Sequence, residues 1–442
     1  MRKIRLYTVT LIAVLVMSSM AYAQITITYM HRTVPLETQW AEAVAAAFEA
    51  RNPGIKVELI SGGGGAGFFE KLATMMAAGV PPDVHFGSAD RLMPIHNDWI
   101  LPLNELVERD AADIDIDDYL PGVFDSYVVD GKLYGMVLMT STQVVYWNKD
   151  MFAEHGLPPL PVDWDSREWT WDELIDYSAR LTRVAPDGSA AQLGLSQATD
   201  MYLPDVTWMF GGDWCPPEAY ERGIATSSTM TRPENIRAFE ALQHLYLNYA
   251  AQGPYKGIDV RNGFQQGLIG MDWIGTWKLK HFLQSDQDNV MGFAWGMAPV
   301  PRAVSRVNTR WTDALFIAKD TPHVEAAWEF VKFATGVEGQ RLWTELTGDI
   351  PTRISVLPVY TGRVSELMGM PERDLQILVA GAVAHSRRAL EESILGTGQL
   401  FSQNMRRWFY PILTGTVAPA TGLEQVQREL DGHLDRIAKD YL

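Results

Sequence analysis

Three short β-rich runs separated by two helical stripes, all within residues 25–86, restrict this chain more than any other feature. Ile25-Thr26-Ile27-Thr28-Tyr29 alternates as a strand does. Leu36, Trp40, Val44, Ala47 and Phe48 then recur at helical spacing up to Asn52-Pro53-Gly54, a strong stop. Lys56 to Ile60 reads as a second strand. Phe68, Phe69, Leu72, Met75 and Met76 mark a second helix that ends at Gly79, and Pro82-Asp83-Val84-His85-Phe86 opens a third strand. Strands alternating with helices at this pace lie parallel, because each helix is the crossover that returns the chain to the same sheet. The expected fold class is α/β.

Leu133 to Trp147 reads as one long β segment in the middle of the chain. Beyond it, Pro158-Pro159 and Pro161 make a stiff loop, and helices are expected at Trp171–Leu181 and around Ile236–Tyr249. Phe264–Trp277 is rich in Gly and Trp, and Pro299-Val300-Pro301 is a candidate crossing. Leu423, Val426, Leu430, Leu434 and Ile437 give an amphipathic final helix, and Trp40 and Trp328 lie on apolar helical faces that belong to a core. A chain of 442 residues is too long for one core at roughly 100–200 residues per domain, so two lobes are expected.

The first 23 residues read as an address. Arg2, Lys3 and Arg5 precede an apolar run from Leu11 to Val16, and Ala21-Tyr22-Ala23 supplies a small-x-small cleavage pattern. The run is shorter than the roughly 20 apolar residues a membrane span needs. Export to the periplasm with cleavage after Ala23 is the expectation, without a lipid anchor because no cysteine sits at that point. A formal charge of −17 repels nucleic acid and anionic lipid surfaces. The single Cys215 cannot form an internal disulfide, and the nine histidines are scattered without metal-ligand spacing. No cofactor is expected.

Gly62, Gly64 and Gly67 formally satisfy the dinucleotide-binding pattern, but they follow the second strand and sit in a run that any glycine-rich stretch would satisfy. A tight turn offering backbone N–H groups to a ligand is the milder reading.

The order of motifs resembles one family, the extracellular solute-binding proteins of sugar importers, whose familiar member binds maltose. The resemblance rests on Asn52-Pro53-Gly54-Ile55-Lys56-Val57, Pro82-Asp83-Val84, Leu101-Pro102-Leu103 and Asp130-Gly131-Lys132-Leu133-Tyr134-Gly135. It continues through Asn148-Lys149-Asp150, Trp169-Thr170-Trp171-Asp172-Glu173-Leu174, Gly270-Met271 with Gly275-Thr276-Trp277, Ala326-Ala327-Trp328-Glu329-Phe330-Val331 and Gly348-Asp349-Ile350-Pro351-Thr352-Arg353. It implies a two-lobed periplasmic-binding-protein fold with a hinge and an interlobe ligand cleft. Carried onto this chain, lobe one is residues 24–139 and 303–352, and lobe two residues 140–302 and 353–442. It also implies a monomer that takes up a sugar and hands it to the membrane permease of an ABC importer, with no catalysis.

A sugar needs aromatic platforms for its C–H faces and charged or amide partners for its hydroxyls. The resemblance puts a ligand-contacting aromatic at Trp277, and Trp273 lies in the same glycine-rich stretch. Trp408 matches a sugar-stacking position of the family, while Trp208 and Trp311 fall in stretches that line such clefts. For each tryptophan the competing reading is packing in a core. Asp90 follows the third strand, where α/β sheets place ligands, and Glu37 with His31 faces the same edge. Arg353 reads either as a clamp on a hydroxyl or carboxylate or as an interlobe ion pair. Two alternatives stay open. Arg32, Arg310 and Arg353 are compatible with a glycerol phosphodiester or acidic sugar, and Asp90, Asp213 and Asp272 with a secreted carbohydrate hydrolase.

Overall fold

The structure, a computed structural model, describes residues 24–64, 66–87, 92–196, 203–249, 257–259, 262–285 and 291–441. The segment 1–23 and Asp90 lie outside the described residues. Strand β1 (Ile25–His31), helix α1 (Pro35–Arg51), β2 (Ile55–Ser61), α2 (Ala66–Ala77) and β3 (Val84–Gly87) follow one another as the periodicity requires. β1 pairs in parallel with both β2 and β3. A proline opens α1, where the missing N–H would have had no helical partner.

β4 (Met136–Asn148) is the spine of the molecule, and all of its residues are buried. Thirteen residues at about 3.3 Å each reach roughly 40 Å, long enough to run through two cores. Helix α3 (Trp171–Leu181) begins in a reciprocal cap, with Thr170 and Glu173 each satisfying the other's backbone N–H. The chain continues through β5 (Ala190–Leu195), α4 (Leu203–Met209), β6 (Ile269–Gly275), α5 (Lys278–Ser285), β7 (Trp295–Ala298) and β8 (Asn308–Ile317). After two helices at Val324–Thr335 and Val337–Thr347 come β9 (Ile350–Pro351), β10 (Ser386–Arg388), α6 (Thr397–Leu413) and α7 (Pro419–Tyr441).

One sheet joins these strands in the order β2-β1-β3-β8-β4-β6-β5, with β7 and β9 also on β4. β8 runs antiparallel to both β3 and β4, and β6 antiparallel to β4. The first half of β4 therefore belongs with β8 and the second half with β6. Two apolar cores sit on either side of that change of partner. The first holds Trp40, Phe48, Phe86, Trp328 and Trp343, which confirms Trp40 and Trp328 as core. The second holds Trp147, Trp169, Trp214, Phe239 and Phe409.

The return expected at residue 303 comes later along the chain. Ala303 and Val307 still pack on the second core, and Ala314 is the first β8 residue in the first. The physical reason is strand pairing: β10 holds Asn308–Arg310 in register beside the second core, so β8 itself makes the passage.

Candidate functional site

β4 and β8 each carry an apolar run, but both turn polar where they pass between the cores. Thr140-Ser141-Thr142-Gln143 interrupts β4, and Asn308-Thr309-Arg310 with Thr312-Asp313 does so on β8. The register pairs Arg310 with Thr142, Trp311 with Ser141 and Gln143 with Gly275. Side chains alternate along a strand and cross-strand partners share a face. Ser141, Gln143, Thr309, Trp311 and Asp313 therefore share one face with Gly275 and Trp273.

This face carries buried polar atoms with no partner among the described residues. Gln143 is fully buried, yet neither its amide nitrogen nor its oxygen makes a hydrogen bond. Asp205, on α4, accepts a bond from the Thr309 hydroxyl through Oδ1, while its Oδ2 has none. The indole Nε1 of Trp273 is buried and unbonded as well. Each such atom costs about 1–3 kcal/mol in a closed protein, and native interiors satisfy nearly all of theirs. Burial pushes the Asp205 carboxyl up to about 7, against the opposing bond from Thr309.

Two tryptophans stand over this floor. A Cβ on Gly275 would meet the Trp277 ring at 2.0 Å, so the ring lies over the face that Gln143 shares. Only glycine leaves room for it. The Trp277 and Trp311 rings meet edge to face with centroids 5.1 Å apart, and the Trp311 Nε1 donates to Glu391 over 2.6 Å. Trp277 comes from beside the second core and Trp311 from the passage strand, and both are half-buried.

A charged cluster closes one side. Arg32 donates to Glu37 at 2.7 and 2.9 Å and lies 3.4 Å from Asp313. Lys280 on α5 reaches Glu37 at 3.1 Å and Asp349 at 2.9 Å. Glu37 begins α1 on the first core, whereas α5 packs on the second through Leu279 and Phe282. Lys280 therefore ties one core to the other. Burial alone would raise Glu37, but Arg32 and Lys280 overcome it and hold the carboxylate below its ordinary range. Burial pushes Asp313 up to about 7 even with Arg32 beside it.

The structure gathers some of the residues expected from sequence and disperses others. Trp277, Trp311 and Glu37 stand around the polar floor, with Trp273 further along the same face. Asp90 lies outside the described residues. Trp408 does not reach the floor: its ring packs between α6 and α7, 6.1 Å from His433, and its Nε1 donates to Glu429 at 2.8 Å. The apolar stripe of α7 needs a cover, and Trp408 supplies it. Trp208 is a core residue bonded to Asp213 at 3.1 Å and capped by the Arg387 guanidinium 4.2 Å from its ring.

Arg353, on the last passage, does not turn to the floor: its nitrogens bond Asp118, Tyr119 and the carbonyls of Ile114 and Thr335, all beside the first core. His31 turns its Nδ1 to the Arg32 carbonyl. Arg310 is spent on the carbonyls of Pro121 and Gly122. Asp213 and Asp272 are likewise engaged, Asp213 with Trp208, Tyr220 and Arg387, and Asp272 with Ser196. The glycine turn serves the fold: Gly62 N–H donates to the His31 carbonyl and Gly63 N–H to the Thr33 hydroxyl.

Gln143, Asp205, Thr309, Lys280 and Asp313 escape the motif reading. Their signal is the polar interruption itself, four consecutive polar residues inside a strand buried on both faces. A separate shallow groove of about 320 Å³, lined by Val107, Ala111, Ile114, Ile116 and Leu133, opens on the first lobe away from this floor.

Comparison with known proteins places this geometry. The family profile of bacterial extracellular solute-binding proteins matches residues 35–341. A putative binding protein of Brucella abortus is 24% identical over 70% of this chain and 72% of its own. The mannitol-binding protein of Pseudomonas aeruginosa is 34% identical over 54% of this chain and 52% of its own. Among solved structures, an ABC substrate-binding protein of Listeria monocytogenes in complex with cycloalternan superposes with a TM-score of 0.75 at 22% identity, covering 94% of this chain and 99% of that one. The likeness to these structures is one of fold: a two-lobed periplasmic binding protein.

Proposed function

Since the chain belongs to the bacterial extracellular solute-binding protein family, we propose that it captures a carbohydrate or related polyol between its lobes for an ABC importer. The single observation that carries this reading is the floor between the cores. Gln143, the free oxygen of Asp205 and the Trp273 N–H are buried without partners, while Trp277 and Trp311 offer indole surface beside them. A guest rich in hydroxyls would satisfy the first set, and its C–H faces would cover the second. The mannitol-binding relative points to the same class of guest.

Lobe one is built on residues 24–139 and 314–349, and lobe two on 144–308 and 357–441, with the three passages between them forming the hinge. The guest touches both lobes only when they are shut, so it draws the population toward the shut form. The closed form is what the permease receives, and the protein acts as an exported monomer that alters no bond in its cargo. The segment 1–23 is removed on export.

A thermal-shift screen of the mature protein against neutral sugars and alditols tests the reading. A true guest at one hundred times its dissociation constant should add about 2.7 kcal/mol of stability. Trp277→Ala should remove that shift while leaving the circular dichroism spectrum unchanged. A shift that survives the substitution would take Trp277 out of the site, and turnover of any glycoside would favour an enzyme.

A further inference from the structure

The charge arrangement around the floor goes one step beyond that reading, on which it rests. Two cations flank the face, Arg32 and Lys280, and neither is free. Arg32 is bonded to Glu37 and lies beside Asp313, while Lys280 is shared by Glu37 and Asp349. Three carboxylates thus answer two cations among the described residues. The atoms left over on the floor are a neutral carboxamide, an indole N–H and the second oxygen of Asp205.

We infer that the site selects by charge: it accepts neutral or cationic polyhydroxylated guests and rejects anionic ones. An anion entering a closed site must exchange its water for a cation, or it stays unpaired in a poorly polarisable interior. Among the described residues Arg32 and Lys280 are already neutralised, Arg310 falls on the opposite face of β8 and bonds two carbonyls there, and Asp205 adds a carboxylate at the bottom. A neutral polyol meets no such obstacle, since Gln143 can both donate and accept while the Asp205 oxygen accepts from a hydroxyl. An amino sugar would gain from the same oxygen. This separates two guests that the sequence left open, and it disfavours glycerol phosphodiesters and acidic sugars.

The test uses the mature protein at pH 8, above the value of about 7 to which burial pushes Asp205. Matched neutral, amino and uronic forms of hexoses and short oligosaccharides are screened by thermal shift, with the anionic phosphodiester glycerophosphoglycerol added, and the best neutral guest is titrated against its uronic counterpart. The uronic form should bind at least roughly 30-fold more weakly, as expected for one uncompensated charge near another. Equal or tighter binding of a uronate or of glycerophosphoglycerol would overturn the inference yet keep the reading of a polyhydroxylated guest. If no polyhydroxylated compound binds, that reading fails and the inference falls with it.

Two variants probe the cause through the ratio of neutral to acidic affinity. Asp205→Asn removes the carboxylate from the floor, and Glu37→Gln releases part of the charge on Arg32 and Lys280. Each should narrow the ratio by about tenfold whatever it does to absolute affinity. A role confined to folding would weaken both guests alike, and an unmoved ratio in both variants counts against charge selection.

Discussion

Arg353 and Gln143 are both buried polar residues close to where the chain passes between lobes, and their surroundings are opposite. Arg353 has its nitrogens on an acid, a phenol and two carbonyls beside the first core. The Gln143 side chain makes no hydrogen bond among the described residues. The contrast teaches that burial alone does not mark a binding residue. A buried group whose bonds are complete holds the fold, and one whose bonds are missing is the better candidate for contact with a guest.

The largest expected effect breaks the comparison on the structural side. Arg353→Ala loses four bonds while Asp118 keeps its two from Ser355, so unfolding free energy should fall by about 2–4 kcal/mol, with guest affinity of the folded fraction unchanged. Denaturant titration together with calorimetry checks both halves. Loss of affinity without loss of stability would reverse the roles assigned here.

Gln143→Leu attacks the other side. It replaces an unsatisfied amide by an apolar group of similar size, so stability without guest should hold or rise, while guest binding should weaken by about 2 kcal/mol. A large drop in melting temperature would mean that Gln143 supports the fold through bonds absent here.

Asp205→Asn sharpens the picture through pH. The folded Asp205 keeps its proton up to about 7, whereas an exposed aspartate releases it near 4. Between those values the folded state holds more protons than the unfolded chain, so this group makes stability decline as pH rises. Removing the carboxyl should raise stability at pH 8 by about 1–2 kcal/mol relative to pH 4. Asp313 shares the same upward shift, so part of the slope should remain. An unchanged slope would place Asp205 in contact with solvent.

The smallest effect concerns Trp408. Trp408→Phe loses the bond to Glu429 and should cost about 1 kcal/mol of stability, with guest affinity unmoved. A fall in affinity would return Trp408 to the site.

Much of the fold was legible because it follows from local periodicity. The strand–helix alternation over residues 25–86 lies where the pattern put it, and the long β segment runs from Met136 to Asn148, with Leu133 instead in a short hairpin against Val128. Trp277 was legible through its glycines, since Gly275 leaves the space its ring fills. Trp408 was not, because a helix residue faces whatever packs against it, and the partner is a helix further along the chain. Gln143 and Asp205 were hidden for a related reason. A polar residue in a strand signals solvent when one face is open, and it signals a site only once both faces are known to be covered.

β4 is one uninterrupted strand, and its consequence is mechanical. In the proposed hinge, the residues offered to the cargo would sit on the axle about which the jaws swing, not at their tips. A fragment small enough to rest on Gln143 without reaching both walls should therefore occupy the axle and leave the jaws apart. Such a compound would block the seat without ever being passed on, a plug instead of a passenger.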